Sequence, residues 1–260
     1  MRICDIVAPI ERFAPLGLQE PYDNSGLVVG RADCEVRGVL LAVDVTEQVI
    51  DEAIELGCNM IITHHPIIFH PLKRLNGASV VERCVERAIR HDIALYACHT
   101  NLDAAPGGMS WRVGAMLGLE SLTLLQPSEH DGAGFGVVGQ LPKACSLSEV
   151  LALVRSVFGV KAIRHSAPID RDISRVAVVT GSGGSMMDAV RGAKCDLYLT
   201  ADLRYNDFFA PMGEFVVADM GHFESEFCAI QILFEILSKN FTTFALHKSA
   251  QTKNPVCYSF

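Results

Sequence analysis

Apolar positions along the first half of the chain follow two alternating patterns. Mainly apolar runs, Val36 to Val45 and Met60 to Thr63, predict buried strands. Between and after them, Thr46 to Leu56 and Ser79 to His91 carry apolar residues at helical spacing. The first of these does so through Val49, Ala53 and Leu56 behind an N-cap at Thr46. Ile93 to Ala97 predicts another strand, and Gly107 and Gly108 introduce a helix through Leu117. The second half repeats the alternation. Gly134 to Leu141 reads as strand, Ser146 to Phe158 as helix, Arg175 to Thr180 as strand and Ser185 to Ala193 as helix, before short strands at Leu197 to Thr200 and Phe215 to Ala218. Glu224 to Leu237 is predicted as one further helix that packs back on the first half. Strands joined by helices predict parallel or mixed pairing, because parallel neighbours need a crossover. The turn-rich stretch Gln126 to Gly134, with Pro127, Asp131 and Gly132, is the candidate linker. The expectation is therefore an α/β protein of two α/β domains with mixed sheets, one formed by residues 1–125 plus 220–260 and the other by residues 126–219.

Composition narrows the function classes. Of 260 residues, 50% are hydrophobic and 20% charged, which suffices for a core without disulfide staples. No apolar run approaches the roughly 18 residues of a membrane span. The N-terminal stretch is interrupted by Asp5 and Glu11 where a signal peptide would be apolar, so a cytoplasmic protein without membrane contact is expected. A net charge of -8 opposes binding to nucleic acid. The nine cysteines never reach a C-x-x-C spacing, which excludes a zinc ribbon or thioredoxin motif. Cys98 precedes His99 and suggests a Cys/His nucleophilic pair, but its neighbours Ala94, Leu95 and Ala97 favour an interior strand position.

Chemistry concentrates at three places. Thr63-His64-His65-Pro66 lies where a predicted strand runs into a loop, the end at which α/β sheets collect ligands. A second predicted strand runs into Cys98-His99-Thr100-Asn101-Leu102-Asp103, so His64, His65, His99 and Asp103 share one rim if the two strands are neighbours. The third is Gly221-His222-Phe223-Glu224-Ser225-Glu226, where His222 and Glu226 lie one helical turn apart. Each has a plainer reading: polar capping for the histidine pair, a turn aspartate for Asp103, and compensation of the helix dipole for Glu224 and Glu226. Taken together, imidazoles and carboxylates without sulfur suit zinc, iron, manganese or cobalt and exclude a structural Cys site. Five such ligands exceed the needs of one catalytic ion. Two divalent ions roughly 3.5 to 4 Å apart, bridged by a carboxylate, would use them all.

With these motifs the chain resembles the Nif-three-like dinuclear-metal proteins, whose bacterial members are often labelled GTP cyclohydrolase I type 2 homologues. The resemblance runs through PYDNSGLVVG (Pro21 to Gly30), Asp44 to Leu72, HTNLDA (His99 to Ala104), GSGG (Gly181 to Gly184) and GHFESE (Gly221 to Glu226), in that order. It implies a Nif-three-like fold, a toroidal homohexamer and two divalent metal ions per subunit. It also implies His64, His65, Asp103, His222 and Glu226 as ligands, Glu226 as the bridge, and His99 as a catalytic histidine beside the ions. The activity implied is metal-dependent hydrolysis of a nucleotide, with attack at C8 of guanine in the GTP reaction. A metal chaperone or store, or a hexameric scaffold for protein partners, is the alternative. One position departs from the family pattern: Asn206 stands where a histidine is usual, and a neutral amide cannot relay protons. Gly181 to Ser185 reads either as a plain glycine-rich turn or as a phosphate cradle at a helix N-terminus. Asp23 and Asn24 either reach the site or form an Asx turn ahead of Gly26, and the turn is the expectation. His70, His91, His130, His165 and His247 have no partner pattern and read as structural or surface residues.

Overall fold

In a computed structural model that describes residues 1–130 and 132–259, the chain divides into two units. The first takes Met1–Ala105 and Ala229–Lys253, the second Pro106–Cys228 and Asn254–Phe260.

The first unit opens with α1 (Ile3–Phe13), which buries Ile3, Ile6, Val7 and Ile10 along one face. The sequence pattern conceals this helix because Pro9 lies inside it, and an interior proline ordinarily marks a helix stop. There follow β1 (Gly26–Val29), β2 (Val39–Ala42), α2 (Glu47–Glu55), β3 (Met60–Thr63), α3 (Val80–Arg90), β4 (Ala94–Ala97) and α4 (Thr100–Ala104). Every residue of β2, β3 and β4 is buried. The three pair in parallel, with Ile61 opposite Leu40 on one side and Leu95 on the other. Parallel strands covered on both faces need the unbroken apolar runs VLLA, MIIT and ALYA. Val49, Ile50 and Ala53 of α2 and Cys84 and Ala88 of α3 fill the layer over Leu40, Ile61 and Leu95. Both helices start where expected: Thr46 Oγ1 accepts from the Val49 amide at 3.2 Å, and Ser79 Oγ from the Glu82 amide at 3.2 Å.

The second unit contains α5 (Met109–Met116), β5 (Glu120–Pro127), β6 (Gly134–Cys145), α6 (Leu147–Phe158), β7 (Arg164–His165), β8 (Ile173–Ser182), α7 (Met187–Gly192), β9 (Leu197–Ala201), β10 (Val216–Asp219) and α8 (His222–Glu226). Its sheet runs β5-β6-β8-β9-β10-β7, parallel from β8 to β10 and antiparallel elsewhere, so it is mixed as expected. The turn-rich stretch from Gln126 to Gly134 joins β5 to β6, with Pro127 opposite Gly134. Its Asp131 lies outside the described residues. Proline and glycine mark a chain reversal equally well between strands and between domains.

The chain then returns to the first unit through α9 (Cys228–Asn240) and β11 (Leu246–Lys248), which pairs in parallel with β2 and completes the sheet order β1-β4-β3-β2-β11. The single helix expected over Glu224 to Leu237 is thus two helices, and the break assigns them to different units. Helix α8 packs on β8 and β9 of the second unit. Helical spacing runs through both, so periodicity alone does not show the break. Among the described residues, no helix is long and apolar enough to cross a membrane.

Candidate metal centre

Strands β3 and β4 are neighbours, so their carboxyl ends present His64, His65 and His99 on one rim. The backbone ladder continues past the strands: the His65 amide donates to Val43 O at 3.0 Å and the Cys98 amide to Thr63 O at 2.9 Å. One ligand atom of each of the three imidazoles lies within 4.8 Å of the others. The ring centroids stand 4.9 to 5.4 Å apart. Asp103, one turn into α4, brings a carboxylate oxygen to 3.8 Å from His64 Nε2. His64 is fully buried.

In each imidazole, Nδ1 is committed to an oxygen. His64 Nδ1 bonds to Cys98 O at 2.8 Å, His65 Nδ1 to Asp44 Oδ1 at 2.8 Å and His99 Nδ1 to Asp23 Oδ1 at 2.7 Å. A carbonyl or carboxylate only accepts, so Nδ1 carries the proton and Nε2 carries the lone pair. Orientation by an outer oxygen is the arrangement that fixes a metal-ligating histidine and raises its basicity. Spacing pairs neither Asp23 nor Asp44 with its imidazole, since they lie 76 and 21 residues away.

Asp23 does more than form the expected turn. Its side chain is wholly buried and accepts from the Asn24 amide at 2.7 Å, Ser25 Oγ at 2.9 Å and the Thr100 amide at 3.0 Å, as well as from Thr100 Oγ1. Burial pushes its carboxyl upward, but the bonds from His99 and Thr100 outweigh burial and hold it well below the usual carboxylate range.

The second unit supplies His222 and Glu226, with His222 Nε2 2.9 Å from Glu226 Oε2. His222 Nδ1 bonds to Asp202 Oδ2 at 2.7 Å, which repeats the pattern of the first unit. Burial alone would lower the His222 imidazolium, yet Glu226 and Asp202 raise it to about 9. The pair thus joins a nitrogen donor to a buried carboxylate, donor types that a divalent cation takes. Glu226 is 3% exposed and lies against Gly181, at φ +63°, where a Cβ would collide with its carboxylate. The glycines of 181–184 answer to close packing: a Cβ on Gly183 would meet the hydroxyls of Tyr198 and Thr200. The glycines lead into a short 3-10 turn, Gly184–Met186, and then into the six-residue α7. Asn206 is exposed on the short 3-10 turn Tyr205–Phe209.

Each half of this donor set suits a divalent cation. The histidine cluster of the first unit joins nitrogen donors to a carboxylate, and the second unit pairs an imidazole with a buried carboxylate. Cys98 is buried, its thiol pushed up by that burial, which leaves it an inert strand-end residue.

A sequence model of the Duf34/NIF3 (NGG1p interacting factor 3) family matches residues 1–255. A Clostridium perfringens protein named "GTP cyclohydrolase 1 type 2 homolog" is 35% identical over 229 residues, covering 87% of this chain and 87% of that protein. A Clostridium acetobutylicum protein of the same name is 33% identical over 252 residues, covering 95% and 92%. The fold also matches the crystal structure of a Bacillus cereus protein related to NIF3, with TM-score 0.93, 24% identity and coverage of 100% and 99%.

Proposed function

The chain belongs to the Duf34/NIF3 family, and from that premise we propose that it holds two divalent metal ions and hydrolyses a nucleotide. The supporting observation is that the three imidazoles proposed as ligands, His64, His65 and His222, each have Nδ1 bonded to an oxygen, as does His99 beside them. Orientation of that kind, repeated in two separate stretches of sequence, is built for ligation. The ligands proposed are His64, His65, Asp103, His222 and Glu226, with Glu226 as the bridge. The donor chemistry accepts zinc, iron, manganese or cobalt. When bound, the cations supply Lewis acidity and a nucleophilic water at neutral pH. The relatives' name points to GTP as the nucleotide.

The chain's own part in such a reaction is proton handling. His99, with Nδ1–H fixed on Asp23, presents Nε2 as the base that takes a proton from the attacking water. The same nitrogen returns the proton to the ring nitrogen released when the bond to C8 breaks. Asp23 stabilises the imidazolium between those steps, as a carboxylate does for a histidine it orients.

His99→Ala is the test. The variant is expected to keep its metal by elemental analysis and to lose ring opening of GTP, followed as loss of the guanine absorbance, by roughly 100-fold or more. Wild type that holds two ions, opens no purine nucleotide and passes metal to an apo acceptor would be a metal carrier. We also propose a homohexamer, on family grounds. Light scattering behind a sizing column is expected to give six times the 28.3 kDa chain mass, and a stable monomer at micromolar concentration would refute it.

A further inference from the structure

We propose that Tyr22 and Phe69 form an aromatic platform that holds a planar heteroaromatic ring of the substrate beside His99. The inference deepens the nucleotide reading above and rests on it for the identity of that ring as a purine.

Tyr22 and Phe69 come from different loops of the first unit and meet with ring centroids 6.4 Å apart at 59°. Phe69 also stands edge-on to His99, centroid to centroid 6.1 Å at 79°. The pair therefore extends from the proposed proton carrier outward. Both rings face solvent, Tyr22 at 65% and Phe69 at 38% exposure. A single exposed aromatic needs no explanation. Two in contact, with one of them against a site histidine, form a wall with an uncovered face.

The wall is held in place by polar bonds on both loops. Asn24 Nδ2 donates to Ile68 O at 2.6 Å, tying the segment after Tyr22 to the residue before Phe69. Next to Tyr22, the buried Asp23 carboxylate is anchored on His99 and Thr100. On the other side, the Glu20 amide donates to Thr100 Oγ1 at 3.0 Å and the Ser25 amide to Gln19 Oε1 at 2.9 Å. The backbones that carry the rings are thus fixed before any ligand arrives, which lowers the ordering cost of binding. Pinning both loops serves no core, because the rings they carry are left exposed.

With the two rings inclined at 59°, a planar base can stack on one and meet the other edge-on, and base–aromatic stacking is worth enough per base to be read by alanine substitution. A ring lying on this platform would have its edge near His99, where ring opening requires a proton. The platform and the proton carrier are linked through Asp23, so recognition and chemistry share one loop.

Isothermal titration of the metal-loaded full-length protein with guanosine, and with ribose 5-phosphate as the ring-free control, tests the proposal. Tyr22→Ala and Phe69→Ala are each expected to weaken guanosine binding by about tenfold or more. Tyr22→Phe and Phe69→Trp should stay within about threefold of wild type, and ribose 5-phosphate should not discriminate between variants. Unchanged metal content and light scattering show that site and assembly are intact, and the exposed Tyr22 position serves if Phe69→Ala does not fold. Guanosine that fails to bind wild type, or binds the alanine variants equally well, overturns the platform. Loss of assembly with guanosine affinity unchanged also overturns it, and would assign the rings to a contact between copies. Platform-dependent guanosine binding without ring opening of GTP leaves the platform standing and removes the hydrolase reading instead.

Discussion

Glu226→Ala protein is expected to retain at most a trace of divalent metal where wild type, on the proposed carboxylate-bridged pair, is expected to take up about two equivalents per chain. Glu226 is 3% exposed and its oxygen lies 2.9 Å from His222 Nε2. A bridge lost takes both ions with it, and elemental analysis after refilling measures this directly. Loss of one equivalent only would make Glu226 a terminal ligand. Asp202→Asn is the graded companion. It leaves every proposed ligand in place and removes only the anion on His222 Nδ1, so affinity should fall by roughly 10- to 100-fold while stoichiometry is preserved at saturating metal. An Asp202→Asn protein with wild-type affinity would mean that His222 is not a ligand through Nε2. Thermal stability of the metal-free variants separates these losses from simple unfolding. Because Glu226 is the buried partner of His222, Glu226→Ala is expected to lower the stability of the metal-free fold as well, and a melt of each apo variant shows whether it is still folded when its metal is counted.

Asp23→Asn is expected to give the largest loss of stability of any single polar substitution outside the metal ligands. Its buried carboxylate accepts from His99, Thr100, Ser25 and Asn24, and the neutral amide cannot accept from all of them. Disrupting a buried, charge-assisted network costs on the order of 3 kcal/mol. For a chain of this length that corresponds to a fall in Tm of about 5 to 10 °C. The pH dependence carries a second signature. Because the folded carboxyl lies below its ordinary value of 3.8, Asp23 contributes stability that is fully present above about pH 4 and lost as pH falls toward the folded value. Metal-free wild type should therefore lose stability below pH 4 more steeply than Asp23→Asn, with the two curves converging in acid. Parallel curves, or a variant melting within a degree of wild type at pH 7, would show that the network stabilises nothing.

Much of the fold was legible because its signals are local. Unbroken apolar runs gave β3 and β4 their places, and Thr46, Ser79 and Ser146 marked helix starts with caps that the structure contains. Three motifs make the candidate donor residues legible in the sequence, since a strand end rich in histidine or a His and Glu one turn apart lies within a few positions. The segments passed over failed for equally local reasons. Helix α1 contains Pro9, and the edge strands β1 and β11 are short, with mostly half-exposed residues and no clean alternation.

By itself, then, the sequence determined which residue types are grouped at strand and helix ends, and therefore that metal chemistry is the natural reading of them. Tertiary structure decided how those residues are aimed. The oxygens on His64, His65, His99 and His222 lie 34, 21, 76 and 20 residues from their imidazoles, beyond the reach of any helical or strand period. It also decided that α8 and α9 part company after Glu226, so that His222 and Glu226 belong to the second unit while the chain after Ala229 completes the first. Periodicity records which face of an element is apolar. The sheet that face meets, and the carboxylate that settles which imidazole nitrogen bears the proton, are fixed only when segments distant in sequence pack together.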